Sequence, residues 1–280
     1  MIAYFNGEFV AKNQISISPD DRGFLFADGL YEVIRAYRGQ LFRTKDHIDR
    51  LNFGASQLCF SQTEFSYLEQ IAQQLLEKNN LEEDATIYIQ VTRGAAPRAH
   101  AFPDPPCELT VYASAAPFDP LKTQGNKKNG ITVITVPDQR WARCDIKTIG
   151  LTANVLANQK AVEHGAKEAL FIRDNTVLEG THSNFMAVID KTLVTAPESH
   201  QILHGITRKV VLELAADKGI PVNEAPIAIS KTNQITESFI TGTTTEITPV
   251  VSIDGKPVGN GAPGPVTRTL QDAFSAYILG

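Results

Sequence analysis

Two-residue turn signals set the strands of this chain in antiparallel pairs. Asn6-Gly7 lies between the apolar runs 2–5 and 8–10, and Asn-Gly is the pair that best tolerates the positive φ angles of a tight hairpin. Arg38-Gly39 turns the strand-like second half of 24–37 back through 40–43. Asp174-Asn175 and Asp190-Lys191 do the same between 168–172 and 176–178, and between 185–189 and 193–195. A strand that returns at once beside its predecessor has no helical crossover, which parallel neighbours require. The pattern argues against a purely parallel doubly wound sheet and predicts an α/β fold with α+β character.

Helical periodicity fills the intervals. Ile48, Leu51, Ala55 and Leu58 recur at helical spacing after Thr44, which can cap, and Leu68, Ile71, Leu75 and Leu76 do so within 64–78. With strands at 87–92 and 109–113, these elements predict a first α+β domain over residues 1–116. Residues 117–129 are polar, hold Pro and Gly and lack periodicity, so they read as a linker. Residues 130–280 form the larger second domain, with a strand at 131–136 and short strands at 237–241 and 250–253. Its helices are expected at 152–164, carrying Val155, Leu156, Ala161 and Val162, and at 207–218 and 266–278.

Composition narrows the partners. The chain of 280 residues is 42% hydrophobic and 20% charged, with net charge −5, an ordinary globular balance. Mild acidity argues against nucleic acid or an anionic membrane as the main partner. No apolar run approaches the ~20 residues that span a bilayer. Asn6, Gly7 and Glu8 interrupt what would be the apolar region of a signal peptide. Cys59, Cys107 and Cys144 are odd in number and lack metal-type spacing, which predicts free thiols in a reducing cytoplasm and no metal site. Gly259, Gly261 and Gly264 match a dinucleotide-type glycine pattern, but a Pro interrupts it and no second strand or acidic ribose partner follows.

Several residues point to chemistry. Lys147 stands beside Ile146, with Ile149 two residues on; an apolar setting disfavours the ammonium form, and a neutral amine suits carbonyl or Schiff-base chemistry. In H-G-I-T-R (204–208), Gly205 and Thr207 open a helix whose free amides and positive dipole end favour an anion. T-G-T-T-T-E (241–246) gathers hydroxyls and Gly242 at a turn suited to a second anion contact. Arg50, in H-I-D-R (47–50), can bind phosphate bidentately. Glu179 closes a hairpin strand before Gly180, and Arg98 and His100 lie two apart in a basic loop, positioned to clamp a carboxylate. Each also has a bland role: a surface lysine, an N-cap, a solvated turn, an ion-pair arginine, a turn-capping carboxylate or a solvated loop.

Taken in order, R-W-A-R-C-D-I-K-T-I-G, E-G-T-H-S-N, G-I-T-R and T-G-T-T-T-E-I-T-P-V resemble the fold type IV pyridoxal-phosphate aminotransferases, from F-A-D-G-L-Y-E-V (26–33) to E-I-T-P-V (246–250). P-R-A-H-A-F-P (97–103) with Tyr31 resembles the D-amino-acid branch. The resemblance implies two domains with pyridoxal 5'-phosphate in the cleft between them. It implies transamination between D-amino acids, such as D-alanine or D-glutamate, and 2-oxo acids through a Schiff base on Lys147. Glu179 would pair with the ring nitrogen. Arg50, Ile206, Thr207 and Thr243 would hold the phosphate, with Gly242 or Thr244 assisting. Arg140 would lie near the phenolic oxygen, and Tyr31, Arg98 and His100 would bind the α-carboxylate. The last two would come from a neighbouring subunit, so a homodimer is expected. Thr181, His182 and Gly242 depart from the D-specific pattern. The rivals are a branched-chain L-aminotransferase or an aminodeoxychorismate lyase on the same fold, and a non-catalytic phosphate-ligand binding protein, which would need neither Lys147 nor Glu179.

Overall fold

A computed structural model describes Met1–Leu279. The chain divides into two compact units, Met1–Asp119 with Ile146–Leu151, and Pro120–Asp145 with Thr152–Gly280.

The first unit holds β1 (Ile2–Phe5), β2 (Glu8–Ala11), α1 (Arg22–Phe26), β3 (Gly29–Tyr37), β4 (Gln40–Leu41), α2 (Thr44–Gln57), α3 (Tyr67–Lys78), β5 (Ala85–Thr92) and β6 (Thr110–Pro117). Its six strands lie in the order β2-β1-β6-β5-β3-β4, antiparallel throughout. Asn6 and Gly7 both take positive φ at the first hairpin. Helices α2 and α3 cover one face, packing Ile48, Leu51, Leu68 and Leu75 against Leu30, Ile34, Ile87 and Ile89; each such buried side chain contributes about 1.5–3 kcal/mol. Thr44 does not cap α2: Arg43 holds that position in a left-handed conformation with no side-chain capping bond.

The second unit holds α4 (Leu121–Asn129), β7 (Ile131–Pro137), α5 (Thr152–Glu163), β8 (Glu168–Arg173), β9 (Thr176–Gly180), β10 (Asn184–Ile189), β11 (Thr192–Thr195), α6 (Ile206–Asp217), β12 (Val222–Glu224), β13 (Ile227–Ala228), β14 (Glu237–Gly242), β15 (Glu246–Ile253), β16 (Lys256–Pro257) and α7 (Pro265–Leu279). Its mixed sheet runs β12-β11-β10-β14-β15-β7-β8-β9-β13, with β16 beside β15. A further pairing of Asn184 with Glu179 joins β10 to β9 and closes the sheet on itself. Parallel pairs occur between β7 and its neighbours β8 and β15, and between β11 and β12.

Three expectations need correction. The segment 117–129 is no linker: it contains α4, which is fastened to the second unit. Lys127 pairs with Glu246 at 2.7 Å, and the Lys127 carbonyl accepts from Arg268 and Gln271, both at 3.0 Å. Residues 146–151, placed by sequence in the second domain, belong to the first unit. Their backbone pairs with β3 through Tyr31 N to the Lys147 carbonyl and Ile149 N to the Gly29 carbonyl, both 3.1 Å, and Ile146 joins the first core. On α5 the buried residues are Ala157 and Ala161, while Val155, Leu156 and Val162 are 63%, 62% and 58% exposed. Among the described residues no helix is long and apolar enough to cross a membrane.

Candidate active site

The candidate residues fall on both units. On the first, Lys147 follows buried Ile146 in a segment bridged to β3 through Thr148 and Leu30, and is itself half-buried. Ile146 enters the core of the first unit, while Lys147 is left partly accessible. Its Nζ lies 4.1 Å from the centre of the Tyr31 ring, which stacks in turn on Tyr88 at 6.0 Å. No carboxylate among the described residues pairs with this amine.

Arg50 and Tyr31 are placed by the alternation of β3. Leu30, Glu32 and Ile34 face the helices, so Glu32 is fully buried beneath α2. Arg50 grips it bidentately, Nε to Oε1 at 2.7 Å and Nη2 to Oε2 at 2.8 Å, and His47 Nδ1 lies 2.8 Å from Oε2. Burial alone would push the Glu32 carboxyl up, but Arg50 and His47 hold it well below the usual carboxylate range. Burial pushes His47 below the ordinary histidine value despite Glu32, so the imidazole is neutral near pH 7. Arg50 is therefore oriented by two buried partners.

Arg98 and His100 extend from the loop between β5 and β6, both exposed. Their side chains converge on one ring: Arg98 Cζ lies 5.1 Å from the Phe26 centroid and the His100 ring 5.6 Å.

On the second unit, Glu179 lies next to last in β9 where the sheet closes, 4% exposed. It accepts from Arg140 Nη1 at 2.5 Å, from Asn184 Nδ2 at 3.0 Å and from the Leu203 amide at 3.1 Å. Burial pushes its pKa up to about 7, against the pull of Arg140 and the Leu203 amide. Arg140 is also held by Asp138 and stays protonated. The structure thus engages Arg140 with two carboxylates.

Ile206 and Thr207 open α6 behind Gly205, which supplies no side-chain cap, so their amides are among the donors that the helix leaves open. A Cβ on Gly205 would come within 1.9 Å of Asn184 Oδ1, so any other residue would displace the Asn184 side chain. Asn184 also pairs with Thr241 across the β10–β14 ladder. This sets the helix start beside the turn carrying Gly242, Thr243 and Thr244. The hydroxyls of Thr241 and Thr245, flanking that turn, are buried with no hydrogen-bond partner, and an unmet buried hydroxyl is costly unless something fills it.

A model of the amino-transferase class IV family matches residues 29–253. A D-alanine aminotransferase from Staphylococcus haemolyticus is 42% identical over 279 residues, covering 98% of this chain and 97% of that one. The chain is a class IV aminotransferase. Among solved structures, the Escherichia coli branched-chain amino acid aminotransferase superposes with a TM-score of 0.92 at 27% identity, covering 99% of this chain and 94% of that one. The T.th. branched-chain enzyme, solved with pyridoxamine 5'-phosphate, does so with a TM-score of 0.91 at 27% identity, covering 99% and 93%.

In this class IV aminotransferase, sequence reasoning left several positioning residues unassigned. Asn184 was visible within E-G-T-H-S-N, but its role emerges only when sheet closure puts it between Glu179, Gly205 and Thr241. His47 carried a signal, three residues before Arg50 on one helix face, whereas Glu32 needed the register of β3 against α2. Thr181 and His182, the departures from the D-specific pattern, turn toward buried Glu168. Its Oε1 accepts from the His182 amide at 3.1 Å, Ser183 Oγ at 2.7 Å and Thr181 Oγ1 at 3.4 Å.

Proposed function

We propose that this chain moves amino groups between D-amino acids, of the D-alanine or D-glutamate type, and 2-oxo acids such as 2-oxoglutarate or pyruvate, with pyridoxal 5'-phosphate as coenzyme. One observation carries the proposal: Lys147 offers an amine with no acid partner, fixed by backbone pairing to β3 beside Tyr31. The relatives named D-alanine aminotransferases support the handedness. The donor set fits the coenzyme's three features. The uncapped start of α6 and the partnerless hydroxyls of Thr241 and Thr245 suit a phosphate. Glu179, with its proton affinity lifted toward neutrality, suits a basic ring nitrogen, and the free amine suits an aldehyde.

Pyridoxal phosphate, when bound, supplies an aldehyde that takes up an amino group and a ring that withdraws electrons from the α-carbon. Lys147 would hold the aldehyde carbon and, when the substrate amine replaces it, its Nζ takes the α-proton and returns one. Glu179, braced by Arg140 and Asn184, would keep a proton on the ring nitrogen. Arg50, Ile206, Thr207 and Thr243, with Gly242 or Thr244, would hold the phosphate, and Arg140 acts through Glu179. Tyr31, Arg98 and His100 would bind the substrate α-carboxylate. We place the last two in the site of a second copy, making a homodimer the working form. Val155, Leu156 and Val162, left in solvent on α5, support self-association. Free thiols at Cys59, Cys107 and Cys144 suit work in a reducing cytoplasm.

Assay of D-alanine, L-alanine and L-leucine with 2-oxoglutarate tests the reaction. Turnover confined to D-alanine is expected, and preference for L-leucine would establish the branched-chain rival instead. Borohydride treatment of the yellow protein followed by peptide mapping should mark Lys147; a mark on another lysine removes it from the reaction.

A further inference from the structure

The loop carrying Arg98 and His100 has no helix or strand of its own between Thr92 and Thr110, and its tip is exposed. Its shape is nevertheless imposed from beneath. Arg22, on α1 and 4% exposed, donates through Nη1 to the carbonyls of Ala99 at 2.6 Å and Ala101 at 3.3 Å, and through Nη2 to that of His100 at 3.4 Å. One guanidinium thus fixes successive peptides around the proposed clamp. Arg93, 6% exposed, holds the other flank, with Cζ 3.8 Å from the ring centre of Phe102. Its guanidinium also donates to the carbonyls of Leu58 at 2.7 Å and Cys59 at 3.0 Å.

Both arginines converge on Asp28. Arg22 Nε lies 2.9 Å and Arg93 Nε 2.7 Å from Asp28 Oδ2, and Arg93 Nη2 donates to Oδ1 at 3.0 Å. Phe26 completes the arrangement: Arg22 Cζ, Arg98 Cζ and the His100 ring all lie against its ring, at 5.0, 5.1 and 5.6 Å. The Phe26 ring is the surface on which the two exposed clamp side chains find a common orientation, because a cation and an imidazole both gain from an aromatic face.

We propose that Phe26 and the Arg22–Asp28–Arg93 ion network are a positioning brace that presents Arg98 and His100 as one carboxylate-binding pair. The brace rests on the assignment of Arg98 to the substrate carboxylate. None of its members touches the reacting atoms, so it acts on substrate affinity and not on the proton transfer.

The test uses the coenzyme-loaded enzyme with D-alanine and 2-oxoglutarate. Phe26→Leu keeps apolar volume but removes the ring, and should raise KM for D-alanine about two- to five-fold while kcat stays within about two-fold. Phe26→Tyr, which keeps the ring, should bring KM back toward wild type. Asp28→Asn should raise KM further, by roughly ten-fold, since two guanidinium groups lose their shared charge. In an Arg98→Ala background the effect of Phe26→Leu should shrink, because one of the two groups it orients is gone. An equal rise in that background, or no rise in KM in either Phe26→Leu or Asp28→Asn while Arg98→Ala does raise it, overturns the brace. Should Arg98→Ala itself leave KM untouched, the clamp assignment falls and the brace with it. If Asp28→Asn does not fold, Phe26→Leu and its double mutant still decide.

Discussion

Glu179 collects the side chains of Arg140 and Asn184 and the amide of Leu203, yet burial still lifts its pKa to about 7. The sign of the consequence is fixed. A carboxyl raised in the folded state binds its proton more tightly there than in the unfolded chain, so its contribution to stability is complete below about pH 4.5 and is lost as pH rises through about 7. His47, buried neutral, works the opposite way, losing stability as pH falls below its ordinary value near 6.5. Comparing coenzyme-free wild type with Glu179→Gln by urea denaturation between about pH 5 and pH 7 isolates the first effect. The wild type should lose up to about 1.4 kcal/mol per pH unit relative to the variant; parallel curves would show that Glu179 titrates normally. Glu179, Lys147 and Arg50 were legible as candidates only through the order of their motifs along the chain, because each alone also had a bland role. Asn184 stood in the same motif as Glu179 and stayed silent, since its contacts to Glu179 and the Leu203 carbonyl depend on how the sheet closes.

Helix α6 shows what an element adds to its residues. Its first turn is useful to an anion only where it sits, and its seat is set by Gly205 against Asn184. Gly205→Ala would place a methyl 1.9 Å from Asn184 Oδ1. Asn184 must then swing, releasing Nδ2 from Glu179 and from the Leu203 carbonyl, at 3.0 and 2.8 Å. Two hydrogen bonds at about 1 kcal/mol each imply a coenzyme-free variant about 2 kcal/mol less stable, and the displaced helix start should weaken coenzyme binding. Titration of the coenzyme-free variant with pyridoxal phosphate checks it, and wild-type affinity would remove the helix start from the phosphate site. Other elements explain why pattern reading faltered. Apolar residues on α5 predicted a helix correctly, but alanines 157 and 161 make its close contact and the larger side chains stay outside. Helix α4 buries no residue at all; it is held through backbone carbonyls by Arg268 and Gln271, which leaves no periodic trace.

For the whole molecule, turn chemistry made the antiparallel pairing legible, whereas the partition of the chain was not: residues 146–151 join the first unit through pairing to β3 after the second has begun. That excursion matters for the proposed homodimer, in which one copy's Arg98 and His100 serve the site holding the other copy's Lys147. Sharing of this kind makes a test that no single-subunit arrangement can imitate. Lys147→Ala should be inactive because every site lacks the amine, and Arg98→Ala nearly so at low D-alanine because every site lacks the clamp. Unfold and refold the two variants together in equal amounts, and half the dimers should be mixed. In a mixed dimer one site carries both lesions and the other carries neither, so the mixture should recover about a quarter of wild-type activity at low substrate. Were clamp and lysine supplied by the same subunit, every site in a mixed dimer would keep one lesion and co-refolding would recover nothing. An affinity tag on one variant separates that result from a failure to exchange subunits: untagged chain recovered with the tagged one, yet inactive, would place Arg98 in the site of its own chain.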